Sequence, residues 1–92
     1  MIVTFACADT RALFETGRSR RFANILAAAE RKLTLLDAAA TLSALRVPPG
    51  NRLETLRGDL ADTYSIRVNN QWRICFSWTL DGPADVRIID YH

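Results

Sequence analysis

The chain has 92 residues, of which 49% are hydrophobic and 24% are charged. This length accommodates one hydrophobic core, so we treat residues 1–92 as a single domain and exclude a multidomain arrangement. The net charge is only +2, although 11 of the 12 basic residues are arginine. Because arginine suits two-pronged phosphate contacts, the arrangement of these arginines matters more than the net charge.

The sequence gives no indication of a membrane segment or of a metal site. Residues 1–5 lack the basic and long apolar regions of a signal peptide, and no apolar run approaches the roughly 20 residues of a membrane span. We therefore expect a cytoplasmic protein with no membrane partner. Cys7 and Cys75 lie far apart in apparently apolar strands and fit no zinc-ligand spacing, so we expect reduced core thiols.

The N-terminal half predicts a short strand followed by a helical hairpin. Ile2 to Ala6 is typical of a strand, and Asp9 can cap a helix that runs through Glu15 and ends at Gly17. Ser19 can cap a second helix with an apolar stripe at helical spacing. The stripe consists of Phe22, Ile25, Leu26, Ala29, Leu33 and Leu36.

The segment between the helical hairpin and the next strand is predicted to be irregular. Ala38 to Ala40 extends the second helix, and Pro48-Pro49-Gly50 ends the helical structure. Residues 51–62 are then rich in polar and charged side chains. Long loops without secondary structure are uncommon in small domains, so the length of this segment indicates a functional role.

The C-terminal half alternates apolar and polar residues, which predicts strands with one wet face. A two-residue turn at Asn69-Asn70 would pair Ile66 with Arg73 and mix the two faces. A three-residue loop with one asparagine in the left-handed region keeps Arg67 and Arg73 together, opposite Ile66. We therefore predict the odd-length loop.

A reversal at Asp81-Gly82 and a last strand from Val86 to Tyr91 complete the element order. The order is βααβββ. This predicts an α+β fold in which the helical hairpin packs on one face of a small, mainly antiparallel sheet.

The polar face and its flanking segments form a candidate anion site. Arg67 and Arg73 are expected to project from this face, Arg57 precedes it, and Tyr91 and His92 end the last strand. Each of them also fits an ordinary surface or terminal position. The residues that we expect to support substrate binding are Arg67, Gly58, whose missing side chain permits close approach of a ligand, and Asp90, which with Asp59 and Glu54 can orient the arginines or His92.

Four sequence blocks carry a family resemblance. They are Asn51-Arg52-Leu53-Glu54-Thr55-Leu56-Arg57-Gly58-Asp59, Tyr64-Ser65-Ile66-Arg67-Val68-Asn69, Gln71-Trp72-Arg73-Ile74-Cys75-Phe76 and Asp90-Tyr91-His92. Together they resemble the HigB toxins of the RelE/ParE superfamily. The central and terminal blocks are specific, whereas the N-terminal half is only compatible.

The resemblance implies a ribosome-dependent endoribonuclease that cuts mRNA in the ribosomal A site without a metal or cofactor. It also implies a HigA-type helix-turn-helix antitoxin, a heterotetrameric complex, and operator DNA bound through the antitoxin. The implied catalytic residues are Arg57, Arg73, Tyr91 and His92. Arg57 stands where lysine is more frequent in the family, and an arginine does not release a proton near neutral pH.

Two other function classes share the sequence features. ParE-type toxins of the same fold act on DNA gyrase without nuclease activity, and fold alone does not separate them. A non-catalytic module could also use the arginine face to bind RNA, with an affinity that falls as salt rises. Tyr91, His92 and Arg73 favour the nuclease.

Overall fold

A computed structural model of the chain describes residues 1–56 and 63–90. These ranges contain two α-helices, three short 3-10 segments and one antiparallel sheet whose four strands lie in chain order. The helices are α1 (Ala8–Thr16) and α2 (Leu26–Ala38), and the 3-10 segments are Ala23–Ile25, Leu42–Arg46 and Pro49–Asn51. The strands are β1 (Glu54–Thr55), β2 (Thr63–Arg67), β3 (Trp72–Thr79) and β4 (Gly82–Asp90). The predicted α+β fold is confirmed.

The first predicted strand is an extended segment that borders β4. Its only bridge among the described residues joins Phe5 to Val86 in the parallel direction. The N–H of Val3 donates to Pro83 O at 2.7 Å, and that of Ala6 donates to Val86 O at 3.0 Å. The Val86 N–H donates in return to Thr4 O at 3.1 Å. The predicted strand at residues 2–6 is therefore reduced to this bridge.

The segment predicted to be irregular contains the short strand β1. Glu54 pairs with Ser65 and Thr55 pairs with Tyr64, which adds β1 to the edge of β2. The Leu56 N–H continues this pairing by donating to Thr63 O at 2.8 Å. The prediction of irregular structure is therefore wrong for this part of residues 51–62, and residues 57–62 lie outside the described ranges.

The helix α1 begins at Ala8, one residue before the predicted cap. Cys7 is the N-cap residue and makes no side-chain capping bond, so the assignment of Asp9 as the cap is wrong. The Asp9 carboxylate instead accepts from Arg21 Nη1 at 3.3 Å. Gly17 ends α1 in the left-handed conformation, with φ of 71° and its N–H donating to Leu13 O, which confirms the predicted stop.

The second helix is shorter than predicted at both ends. Ser19 Oγ accepts from the Phe22 N–H at 3.0 Å, but this bond precedes the 3-10 segment and α2 begins only at Leu26. The helix ends at Ala38, and Ala39 has extended backbone, so the predicted extension through Ala40 is wrong.

The core lies between the helices and one face of the sheet. The predicted apolar stripe supplies most of the helical contribution, with Leu26 only partly buried. Phe22 packs edge-on against Trp72 with ring centroids 5.6 Å apart, which joins the helical layer to β3. The buried residues that the sheet contributes include Ile66, Ile74, Phe76, Val86 and Ile88.

The β2–β3 hairpin has the predicted odd-length loop. Arg67 pairs with Arg73, and the Val68 N–H donates to Trp72 O at 2.9 Å, which leaves residues 69–71 as a three-residue loop. No residue of this loop has a positive φ, so the predicted left-handed asparagine is wrong. The Asn69 side chain closes the loop instead, since its Oδ1 accepts from the N–H groups of Gln71 and Trp72, both at 2.8 Å.

The final hairpin is longer than the sequence predicts. Thr79 pairs with Gly82, so Leu80 and Asp81 form a two-residue turn, one position before the predicted reversal. The strand β4 begins at Gly82 rather than Val86, and its last described residue is Asp90.

No helix in residues 1–56 or 63–90 combines the length and apolar character that would let it cross a membrane.

Replacing Gly17 with alanine should lower the free energy of unfolding by about 1–2 kcal/mol, because a left-handed φ crowds a Cβ atom. Gly50→Ala is the matched control, since no heavy atom lies within 4 Å of the added Cβ and its φ is not left-handed. Urea unfolding of both variants tests this. Equal stabilities for the two variants would contradict the account of the α1 stop.

Candidate functional site

A polar cleft of about 260 Å³ lies on the sheet face opposite the helices. It is located near the β2–β3 loop and contains three arginines and one carboxylate. The lining residues are Arg52, Glu54, Arg67, Asn69, Asn70 and Arg73. The cleft therefore joins two predicted site residues, Arg67 and Arg73, with the segment that leads into β1.

The Arg73 guanidinium lies buried at the base of this cleft. The residue is 4% exposed. Its Nε donates to Ser65 Oγ at 2.8 Å, and its Nη2 donates to Ser65 O at 3.2 Å and to Arg52 O at 2.5 Å. The predicted face is correct, but the expected projection from an open surface is wrong because residues 52–54 and Ser65 enclose the side chain.

These hydrogen bonds make the buried charge physically acceptable. A guanidinium does not lose its proton in proteins, so its burial is costly unless its N–H groups find acceptors. Ser65 and the Arg52 carbonyl supply three acceptor contacts, and Glu54 Oε2 lies 3.9 Å from Nη2. Glu54 thus contacts an arginine as expected, but its carboxylate is about half exposed and the ion pair is long.

Two further arginines line the cleft closer to solvent. Arg67 is half-buried, and its Nη2 donates to Asn70 Oδ1. Arg52 is exposed and has a left-handed φ of 46°. In this conformation the Arg52 carbonyl accepts a hydrogen bond from Arg73. The Arg52 side chain lines the same cleft. The site therefore presents one fixed buried cation and two accessible ones.

Asp90 lies at the same end of the sheet as the β2–β3 loop. It pairs with Trp72 on β3, and its Oδ2 accepts from Gln71 Nε2 at 3.1 Å. The structure therefore brings Asp90 next to the loop that borders the cleft. The other predicted site residues, Arg57, Gly58, Asp59, Tyr91 and His92, lie outside the described residues.

The sequence does not single out Arg52 or Ser65 as parts of the site. Ser65 lies two residues before Arg67, so strand alternation puts it on the same face as the arginines, whereas Ile66 faces the core. This alternation is the signal that could have identified Ser65 as a partner of Arg73. Arg52 has no comparable signal, because its contribution depends on a left-handed backbone at a non-glycine residue.

The two cysteines differ in environment, although both are free thiols. Cys75 is fully buried in β3, and burial raises its pKa. Cys7 is only half-buried, so its assignment to the core is wrong. Partial burial alone would raise the pKa of Cys7, but the polar groups of Thr10 and of the Asp9 backbone near its sulfur, together with the Arg21 charge, lower it overall. Within the described parts of the chain, no three His, Cys, Asp or Glu side chains are grouped to hold a metal.

Ser65→Ala should lower the free energy of unfolding by about 1.5–3 kcal/mol, because it removes a buried acceptor from a charged donor. Ser77→Ala is the matched control on the same face of the sheet, where the serine is only half-buried. Chemical unfolding measures the difference. A Ser65→Ala cost no larger than that of Ser77→Ala would contradict the proposed support of Arg73.

Alkylation of the native protein with iodoacetamide should modify Cys7 and spare Cys75. Because the pKa of Cys7 is lowered, the midpoint of its pH-rate profile should lie below the ordinary thiol value of 9.0. Mass spectrometry of the labelled peptides measures both rates. The result would be inconsistent with the structure if Cys75 reacted as fast as Cys7 before unfolding.

Comparisons with known proteins identify relatives of the chain. The family model for HigB-like toxins, described as RelE-like toxins of type II toxin-antitoxin systems, matches residues 5–92. A 62-residue segment is 53% identical to Toxin HigB-1 of Vibrio cholerae serotype O1, and it covers 67% of this chain and 64% of that protein. A 55-residue segment is 38% identical to an uncharacterized protein of Haemophilus influenzae, covering 60% of this chain and 54% of the relative.

The matched segments thus span less than two thirds of both relatives. Among solved structures, a chain of the YoeB-YefM complex from Staphylococcus aureus is similar with a TM-score of 0.61 and 16% identity. The similarity covers 100% of this chain and 95% of that one, and at this identity it concerns the fold alone. With a family match over residues 5–92, the chain belongs to the HigB-like toxins, the RelE-like toxins of type II toxin-antitoxin systems.

Proposed function

We propose that this protein is a ribosome-dependent endoribonuclease that cuts mRNA in the ribosomal A site and thereby inhibits translation in the cytoplasm. The observation that carries the proposal is the cleft in which Arg52, Arg67 and the buried Arg73 converge. In a chain of the HigB-like toxin family, such a cleft suits an RNA phosphate.

The proposed reaction is an internal transfer at phosphorus. The RNA 2′-oxygen attacks the adjacent phosphate, and the bond from phosphorus to the 5′-oxygen of the next nucleotide breaks. The 2′-hydroxyl loses a proton and the departing 5′-oxygen gains one. The products are a 2′,3′-cyclic phosphate and a 5′-hydroxyl, and the reaction proceeds without a metal or cofactor.

Charge stabilisation is the main contribution that we assign to the arginines. Negative charge accumulates on the phosphoryl oxygens as the 2′-oxygen attacks, and fixed donors aimed at that charge need no reorganisation. Arg73 suits this role because Ser65 and the Arg52 carbonyl hold its guanidinium in place. Arg57 is proposed as a second phosphate-binding cation rather than a proton carrier, since arginine does not release its proton.

The terminal residues supply the proton transfer in this proposal. His92 is the only histidine of the chain, and imidazole titrates near neutral pH. We assign to it one of the two proton transfers, as general base or general acid. Tyr91 stacks on a base or hydrogen-bonds the ribose, while Arg67, Gly58 and Asp90 help to bind the substrate.

The small number of catalytic groups motivates the dependence on the ribosome. General acid-base catalysis contributes roughly 10²- to 10⁴-fold, and positioning of the reacting atoms can contribute more. A ribosome that holds the mRNA in the reactive geometry would supply that positioning. Equal cleavage of free and ribosome-bound mRNA by the purified protein would contradict this part of the proposal.

The proposed partner in the cell is a HigA-type antitoxin with a helix-turn-helix domain. The two proteins would form a heterotetramer that binds operator DNA through the antitoxin. Family membership supports an antitoxin partner, because HigB-like toxins belong to type II toxin-antitoxin systems.

Primer extension after brief induction tests the proposed activity. We expect codon-phased cuts in wild type and a 10²- to 10⁴-fold loss in His92→Ala, because the variant lacks the proton-transfer group. Arg11→Gln is a suitable control, since this exposed residue pairs only weakly with Glu15 on α1.

Primer extension, read together with gyrase poisoning and RNA binding, separates the alternative functions. Intact messages together with gyrase poisoning would replace the proposal with a ParE-like activity. Intact messages together with salt-sensitive RNA binding would replace it with a non-catalytic RNA-binding module.

A further inference from the structure

A second group of cations, Arg31 and Lys32, lies on helix α2, and Lys32 contacts the segment that leads into the cleft. Lys32 is half-buried, and its Nζ donates to Asn51 Oδ1. Asn51 is fully buried, and its Nδ2 donates to Leu45 O at 3.1 Å and Val47 O at 3.3 Å. The amide that receives Lys32 is therefore fixed, so the ammonium is held at a defined position.

This position is directly linked to the cleft through the chain. Asn51 precedes Arg52, whose carbonyl binds Arg73 and whose side chain lines the cleft with Arg67. The pKa of Lys32 is lowered, first by partial burial and then by the charges of Arg31 and Arg67. The Lys32 ammonium therefore contacts the residue that immediately precedes Arg52 of the cleft.

In the described parts of the chain these cations have no close carboxylate partner, although Glu54 lines the same cleft. Among residues 1–56 and 63–90, no carboxylate oxygen lies within 4.0 Å of a side-chain nitrogen of Arg31, Lys32, Arg52 or Arg67. Like charges held together destabilise the folded chain unless an anion compensates them. A polyanion that crosses the surface would relieve the repulsion at several positions at once.

We propose that Arg31, Lys32, Arg52 and Arg67 form one cationic track that binds successive phosphates of an RNA strand running past the cleft. The inference rests on the proposed function, because it takes RNA as the molecule that enters the cleft. Arg31 and Lys32 also border a groove of about 340 Å³ whose wall includes Leu35, Ala38 and Pro48. Such a groove offers apolar surface to a nucleotide whose phosphates the two cations bind.

Binding of a short 2′-O-methyl RNA oligonucleotide tests the track, since this probe cannot undergo attack by its own 2′-oxygen. The double variant Arg31→Gln/Lys32→Gln should weaken binding roughly tenfold at low salt. The slope of log affinity against log salt should fall in magnitude by about 1.4, or about 0.7 for each lost phosphate contact. The charge-conserving variant Lys32→Arg should bind nearly as well as wild type.

The matched control is Arg11→Gln/Arg18→Gln, which removes the same charge from exposed positions on α1 and the turn after it. Circular dichroism and thermal unfolding of both double variants check that they fold. A parallel assay with ribosomes lacking mRNA identifies the source of the RNA. If the Arg31→Gln/Lys32→Gln variant binds the oligonucleotide more weakly, the track binds mRNA. If this variant binds only the vacant ribosomes more weakly, the track binds ribosomal RNA. Either result supports the track.

Unchanged RNA binding in both assays would overturn the inference. So would a loss confined to antitoxin binding, because it would assign the cations to the protein partner. The proposed function fails separately: track-dependent RNA binding by a wild-type protein that cuts no mRNA would retain the track and reject the nuclease. If the wild-type protein cuts mRNA and the double variant binds RNA normally, the nuclease is retained and the track is rejected.

Discussion

The polar face of the sheet depends on how the Arg73 guanidinium is buried. Removing such a group from water costs several kcal/mol unless acceptors replace the lost water. Ser65 on the neighbouring strand and the Arg52 carbonyl meet that requirement. The pairing of Arg67 with Arg73 and the left-handed backbone of Arg52 accompany the same arrangement. The hydrogen bonds of one side chain therefore connect the hairpin, the loop before β1 and the floor of the cleft.

The opposite face of the sheet provides the rigidity that this arrangement needs. Ile66 and Ile74 are fully buried against the helical layer, one position along the strands from Arg67 and Arg73. Because successive strand residues point to opposite faces, packing of the core also fixes where the arginines are directed. A charge fixed in this way is already oriented before the reaction that we propose, which is the condition for efficient electrostatic stabilisation.

The sequence predicted those features that periodicity controls. The apolar stripe of residues 22–36 and the odd-length β2–β3 loop follow from spacing alone. The burial of Arg73 could not be predicted, because alternation shows which face a residue occupies but not what covers it. The strand β1 has two residues, too few for a period, and Asp9 pairs with Arg21 instead of capping α1. Ser65 and Arg52 support the site through their hydrogen bonds with Arg73, which are tertiary contacts that alternation does not predict. Their part in the site is therefore known only from the structure.

The most direct test of the proposed site is a structure of the toxin on a ribosome programmed with 2′-O-methyl mRNA, which blocks cleavage. The account predicts that a phosphate of the A-site mRNA lies in the cleft, within hydrogen-bond distance of Arg67 or Arg52 and above the buried Arg73. An mRNA strand that contacts α1 or the N-terminal segment, and leaves this cleft without RNA, would contradict it.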